Sequence, residues 1–206
     1  MTGSFDRSKF KRCGEDVFLG DPIVLRYPEL IEIGDHVAID PFVYISTAMR
    51  VGSYVHIAPM VSIIGGRESS LILEDFAGLA AGCRIVCGSD DFVRGTGLTN
   101  PTVPGKYHGK ILHTTVVIER HALLGTNCVV LPGVRIGQGA VAGACALIKA
   151  DMDPWTIYVG NPARAVGKRR SRTILEREEQ LWNELQAGSL GPTGRTSGES
   201  GQDDQS

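Results

Sequence analysis

From Ile33 onward the chain repeats every six residues, and each unit opens on an aliphatic side chain. The units run IGDHVA, IDPFVY, ISTAMR, VGSYVH, IAPMVS and IIGGRE. After a short insertion come LEDFAG, LAAGCR and IVCGSD, and after a longer one IERHAL, LGTNCV, VLPGVR, IGQGAV, AGACAL and IKADMD. The openers are Ile33, Ile39, Ile45, Val51, Ile57, Ile63, Leu73, Leu79, Ile85, Ile118, Leu124, Val130, Ile136, Ala142 and Ile148. The fifth position is small or β-branched, as at Val37, Val43, Val55, Val61, Ala77, Cys83, Ala122, Cys128, Val134, Ala140 and Ala146, with Met49 and Arg67 the exceptions. A short fixed period of this kind is the mark of a solenoid. Each hexad makes one short strand and one turn, and three hexads make a triangular coil. The openers then stack inside a prism, coil upon coil, and the small residues sit where the wall bends towards the axis. Cys83 and Cys128 fall in that inward slot, where free cysteine is at home.

Composition agrees. Glycine is abundant at 26 residues and aromatics are only 6%, which suits many tight turns better than one large conventional core. The net charge of -2 gives no reason to expect nucleic acid as a partner. The first residues, MTGSFDRSKFKRCGED, lack the apolar stretch of a secretory signal, and no segment has the length of a membrane span. The five cysteines stand in no metal-ligand pairing, so they are expected to be reduced thiols of a cytoplasmic protein.

Four regions follow. Residues 1–32 form a cap and an irregular first coil, and residues 33–168 the prism, interrupted by a loop over 89–116. Residues 169–188 hold a helix, and the Gly/Ser/acidic stretch 189–206 is expected to be disordered. In the helix Thr173 and Glu176 have capping-box spacing. Ile174, Leu175, Leu181, Trp182 and Leu185 share one face, and Gly188 is a stop signal. The loop over 89–116 is expected to lack regular structure, and at that length to be functional.

The hexads, with the closing run DPWTIYVGNPARAVGKR, resemble the hexapeptide-repeat acyltransferases over roughly residues 30–170. The repeat alone speaks for the fold. The GNPAR run at residues 160–164, directly after the last coil, is the more specific signal. Within that group, HIAPMVSIIGG, GSDDF, LTNPTVP, LPGVRIGQGAVAGA and DPWTIYVGNPAR look most like acyltransferases of surface-polysaccharide gene clusters. The nearest are N-acetyltransferases acting on dTDP-4-amino-4,6-dideoxyglucose in lipopolysaccharide synthesis. The resemblance implies an all-β fold, a left-handed parallel β-helix with a short C-terminal α-helix. It implies a homotrimer with acyl-CoA, most simply acetyl-CoA, lying between neighbouring prisms. It also implies direct transfer to a sugar or nucleotide sugar, with no acyl-enzyme, no metal and no membrane insertion. An acceptor hydroxyl instead of an amine is the alternative.

In this family the base is commonly a histidine on a loop leaving the helix. Here that loop begins at Ser89, Asp90 and Asp91. The histidine is absent, so another group has to take the proton. His56, at the end of its hexad and expected at a prism corner, is the first candidate, since imidazole titrates near neutrality. Asp90 and Asp91 belong to a different corner and are expected to meet His56 only across a subunit interface, where a carboxylate orients an imidazole or binds the acceptor. The alternative for one of them is a turn cap. The family pattern points to backbone at Gly125 and Ala144, and to the cations Lys149, Arg164 and Lys168, with Arg169, for coenzyme A and its phosphates. Asn100, Tyr107 and His121 are expected to face the acceptor. His36 is expected to be surface structure, and Trp155 to pack on the end of the prism.

Two other functions fit a prism. γ-Carbonic anhydrases hold zinc with three histidines, and His108 and His113 have the spacing of their ligand pair. Both lie outside the hexads, however, and a third ligand is missing at the matching place. A non-catalytic scaffold is also possible on fold alone, but it has no need of GNPAR and the cations after it.

Overall fold

The computed structural model describes residues 6–188, and the repeat folds as a left-handed parallel β-helix of about seven coils. Parallel pairing between successive coils puts each opener directly on the one before. The first face stacks Cys13, Ile33, Val51, Leu73, Ile118 and Ile136. The second stacks Leu19, Ile39, Ile57, Leu79, Leu124, Ala142 and Tyr158. The third stacks Leu25, Ile45, Ile63, Ile85, Val130 and Ile148. The openers from Ile33 to Ile148 are all buried. The three stacks and the corner residues form one continuous buried core along the prism.

The fifth positions line the inner corners. Val37, Val55, Ala77, Ala122 and Ala140 stack between the first and second faces, and Val43, Val61, Cys83, Cys128 and Ala146 between the second and third. The third corner is roomier and takes Ile31, Met49, Leu71 and Val116, which accounts for Met49. Arg67 occupies no inward slot. Residues 64–70 are an insertion in the long strand Ser62–Leu73, and Arg67 points outward to Glu29 Oε1 at 2.8 Å and over the Tyr27 ring. The IIGGRE unit is therefore an opener followed by an insertion, not a sixth regular hexad.

Just before each small corner residue the chain turns through the left-handed region, which side chains rarely adopt. At the corner between the first and second faces these residues are Asp16, His36, Tyr54, Phe76, His121, Gly139 and Trp155, with φ from 49° to 66°. Equal backbone conformation on successive coils points their side chains the same way. The rings of His36, Tyr54, Phe76 and His121 stack at centroid separations of 4.8, 5.2 and 5.0 Å. Gly139 interrupts the column, and Trp155 fills the gap. A Cβ on Gly139 would overlap the Trp155 ring, which reaches back to His121 at 6.1 Å.

Both insertions, 64–70 and 88–114, leave the corner between the third and first faces; the second ends before the expected residue 116, because Thr115–Ile118 is already a prism strand. The second is more ordered than its composition promised. It rises as an antiparallel ribbon, Gly88–Asp90 against Ile111–His113, and contains a 3-10 turn at Gly105–Tyr107. Beyond the last coil, Arg164–Lys168 folds back antiparallel on Thr156–Val159.

The helix, a separate unit, runs Arg172–Gln186. It starts before Thr173, with Ser171 as N-cap and no side-chain capping bond, so the expected capping box does not form. Glu176 instead takes Arg172 Nε at 2.7 Å. Gly188, at φ 64°, follows the helix end as expected. The stretch 189–206 lies outside the described residues.

Two substitutions test this packing by thermal and denaturant unfolding. Ile85→Ala opens a void in a column that cannot collapse sideways, and a loss of about 2–5 kcal/mol is expected. Gly139→Ala adds a methyl where the indole lies and should change the near-UV signal of Trp155 as well as lower stability. An unchanged tryptophan signal would contradict the packing of Trp155 over Gly139.

Candidate functional site

The outer surface of the second face is unusually bare. Side chains beside the inward openers point out, and on this face many of them are Gly or Ala. Gly78, Ala80, Gly125 and Gly143 line a groove of about 580 Å³, with Leu123 and Val141 as its apolar relief and the backbone of buried Ala77 and Ala142 in its floor. Tyr54 and Phe76, from the corner ring column, form one wall, and His56 stands in the same groove.

His56 lies on the strand pair His56–Ile57, so it is on the flat face and not at the corner where its hexad position suggested. Parallel pairing puts it beside Ala38 of the coil before and Gly78 of the coil after. Its Nε2 is 2.7 Å from Asp40 Oδ2. Asp40 follows Ile39 one coil earlier, so the two meet diagonally across adjacent coils. When the imidazole is neutral, Nε2–H donates to the carboxylate and Nδ1 keeps the lone pair. The proton-accepting atom is thereby Nδ1. Asp40 was missed in the sequence because a diagonal contact shows only once the coil register is known. The carboxylate within this chain that holds His56 is Asp40, not Asp90 or Asp91.

Asp90 and Asp91 sit on the ribbon, at the corner opposite the second face. They play different parts. Asp91 accepts from Arg94 N at 3.3 Å, pairs with the Arg94 guanidinium at 3.7 Å, and its own N–H donates to Lys110 O. It is the turn cap. The Asp90 carboxylate has no such partner among the described residues. Ser89 Oγ donates to Asp90 O at 3.1 Å.

The expected coenzyme residues divide. Gly125 and Ala144 come together on consecutive coils, so closely that a Cβ on Gly125 would meet Ala144 N at 2.7 Å. Lys149 and Arg164 line one cavity of about 200 Å³ beyond the groove. Lys168 is tied inward, Nζ to Thr156 Oγ1 at 2.6 Å. Arg169 is pinned by its donation to His121 O and Gly139 O and lies over Trp155. Lys149 and Arg164 are therefore the pair in a position to meet a phosphate.

Of the expected acceptor residues, His121 is corrected. It is 7% exposed and stacked in the ring column, with no open face for a sugar. Asn100 Oδ1 accepts from Thr102 N and Oγ1 as a turn cap. Tyr107 is exposed under Lys106. His108 Nε2 donates to Val103 O at 2.8 Å, and His113 pairs with Glu68 at 3.2 Å. The two rings that resembled a zinc pair thus have separate protein partners.

Two of the buried thiols, Cys83 and Cys87, are poorly suited to nucleophilic attack, which needs thiolate, whereas contact with the Cys83 thiol lowers Cys128. Burial pushes Cys87 up to about 12. Contact with the Cys128 thiol, then burial, raises Cys83.

No family model matches the chain. Among curated proteins it is 34% identical over 173 residues to the dTDP-4-amino-4,6-dideoxy-D-glucose acyltransferase of Escherichia coli, covering 82% of this chain and 87% of that one. Among solved structures it is similar to AntD, an N-acyltransferase from Bacillus cereus in complex with dTDP and 3-hydroxybutyryl-CoA. The TM-score is 0.81 and the identity 30%, over 87% of this chain and 94% of AntD. It is also similar to an AntD variant in complex with dTDP-4-amino-4,6-dideoxyglucose and coenzyme A, with a TM-score of 0.78 and 31% identity, over 85% of this chain and 92% of the variant.

Thiol labelling tests the inward and outward assignments. Cys145, exposed at a corner, should react first in the native protein, whereas Cys83, Cys87 and Cys128 should react only on unfolding. Native-state labelling of Cys83 or Cys128 as fast as Cys145 would contradict the buried column.

Proposed function

The chain belongs to the hexapeptide-repeat acyltransferase family, and from that premise we propose that it carries an acetyl group from acetyl-CoA to the 4-amino group of a dTDP-linked 4-amino-4,6-dideoxy sugar. The reading places it in the cytoplasm, as a homotrimer serving lipopolysaccharide synthesis. The acceptor class rests on the relatives, whose names and ligands carry that sugar and dTDP. An amine is favoured over a hydroxyl on the same ground.

The observation that carries the mechanism is the bare groove with His56 in it, its ring held by Asp40. His56, Gly78, Leu123, Val141 and Ile157 stand on five successive coils. Four steps of about 4.8 Å make about 19 Å, a run comparable with an extended phosphopantetheine arm. Lys149 and Arg164 lie beyond that end, suited to the phosphates, while glycine and alanine leave the backbone open to the arm. The acceptor nitrogen attacks the thioester carbonyl, and a C–N bond forms. His56 Nδ1 takes the ammonium proton, the C–S bond breaks, and coenzyme A leaves as the thiol after protonation. Asp40 holds the ring and stabilises its charged form.

A second copy is needed if Asp90 is to act, because the ribbon leaves the corner opposite the second face. In the trimer the ribbon of one chain lies over the groove of its neighbour, with Asp90, Asn100 and Tyr107 towards the acceptor.

Thiol release with acetyl-CoA and dTDP-4-amino-4,6-dideoxyglucose tests this, with 3-hydroxybutyryl-CoA and a hydroxyl acceptor as comparison arms. His56→Asn should lower turnover about a hundredfold, and Asp40→Asn should lower it by less, both with the trimer intact by sedimentation. Near-normal turnover in His56→Asn would remove it as the base. Arg164→Ala should raise the KM for acyl-CoA roughly tenfold or more, the scale of a lost charge-assisted hydrogen bond. Unchanged acyl-CoA kinetics would remove Arg164 from the site.

A further inference from the structure

One histidine outside the groove joins the two insertions. His113 ends the returning strand of the ribbon, Ile111–His113. Its Nε2 lies 3.2 Å from Glu68 Oε2, and its Nδ1 3.5 Å from Ser69 Oγ. Both partners belong to insertion 64–70. That insertion is itself fixed to the prism: Ser69 is buried, and its carbonyl accepts from Thr47 Oγ1 at 2.7 Å. The next residues tie the ribbon down on either side. Thr114 donates to Cys87 O at 2.6 Å through its hydroxyl, and Ser70 Oγ lies 2.8 Å from Thr115 Oγ1.

The ribbon register shows what this fastening controls. Gly88 pairs with His113, and Asp90 with Ile111. Residues two apart on an antiparallel strand point to the same side, so Asp90 and His113 share one side of the ribbon and are diagonal neighbours. Gly88, between them in this pattern, has no side chain. A Cβ there would run into Ser69 Oγ, so the glycine lets the ribbon press onto the insertion.

We propose that His113 and Glu68 form a clasp that sets the angle of the ribbon and, through it, the position of Asp90 over the acceptor. His113 is thus a positioning residue. The inference rests on the reading above in one respect, that Asp90 faces the acceptor. The pair is partly exposed, so its effect is a matter of a few-fold. Its direction is specific: acceptor binding suffers, and the coenzyme groove on the opposite face does not.

The experiment compares His113→Ala, Glu68→Gln, their double mutant, Glu68→Asp and Asp90→Asn, with steady-state kinetics in both substrates. Each of the first two should raise the KM for dTDP-4-amino-4,6-dideoxyglucose about three- to fivefold, with kcat and the KM for acetyl-CoA held. The double mutant should be no worse than either single, since both break one contact. Glu68→Asp should restore part of the loss, which a merely structural disturbance would not allow. If His113→Ala does not fold, exposed Glu68 carries the test alone. An unchanged acceptor KM, a parallel rise for acetyl-CoA, or single effects that multiply in the double would overturn the clasp. Asp90→Asn separates the two levels. If it impairs acceptor kinetics while Glu68→Gln does not, the clasp alone falls. If it impairs nothing, the placement of Asp90 falls and the clasp with it.

Discussion

Parallel backbone hydrogen bonds between successive coils are the constraint on which everything else in this molecule depends. They hold each coil about 4.8 Å above the last and keep the openers in register from coil to coil. A position in the hexad therefore defines a column, and every member of a column meets its own equivalent above and below. Ile39, Ile57 and Leu79 pack as they do because the ladder leaves them no other neighbour. The same rule makes a surface out of glycine and alanine, as readily as it makes a core out of isoleucine. The groove on the second face is a column of absent side chains.

The ladder also explains how the proposed active groups are distributed. The prism wall cannot bend inwards to form a pocket, since its interior is filled. Polar groups have to be laid along the outside, as with His56 and Asp40, or carried out on insertions, as with Asp90. Insertions are tolerated only where a strand can be lengthened or interrupted without breaking the pairing on both sides. Both of them use the roomier corner, where Ile31, Met49, Leu71 and Val116 hold the adjoining strands in register.

The columns were legible in the sequence because period is preserved when a chain is coiled. The aliphatic openers, the small corner residues and the buried thiols follow from counting in sixes. Relations between columns were not legible. Asp40 meets His56 along a diagonal that depends on the coil-to-coil offset, and His121 could not be told from a surface histidine until its turn conformation aligned it with Phe76. The ribbon was hidden for a different reason. Its strands, three residues each, are held by Cys87, Ser69 and Thr114 rather than by any pattern of their own. Lys168 looked like Arg164 in composition, and only the fold-back strand shows one turned to Thr156 and the other left outside.

That fold-back strand has a consequence for the protein in bulk. A prism built by repetition ends on an open ladder, and an open parallel ladder is a template for another chain. End-to-end growth would turn separate enzyme molecules into a fibre. At residues 164–168 the direction reverses, the register slips beside Ile157 and Tyr158, and the outermost strand leaves Arg164 outside while Lys168 turns back to Thr156. A coil arriving there finds neither the polarity nor the hydrophobic seat it needs. The last turn of the sequence works as a terminator, and it lets a motif capable of unlimited extension stop at a definite length.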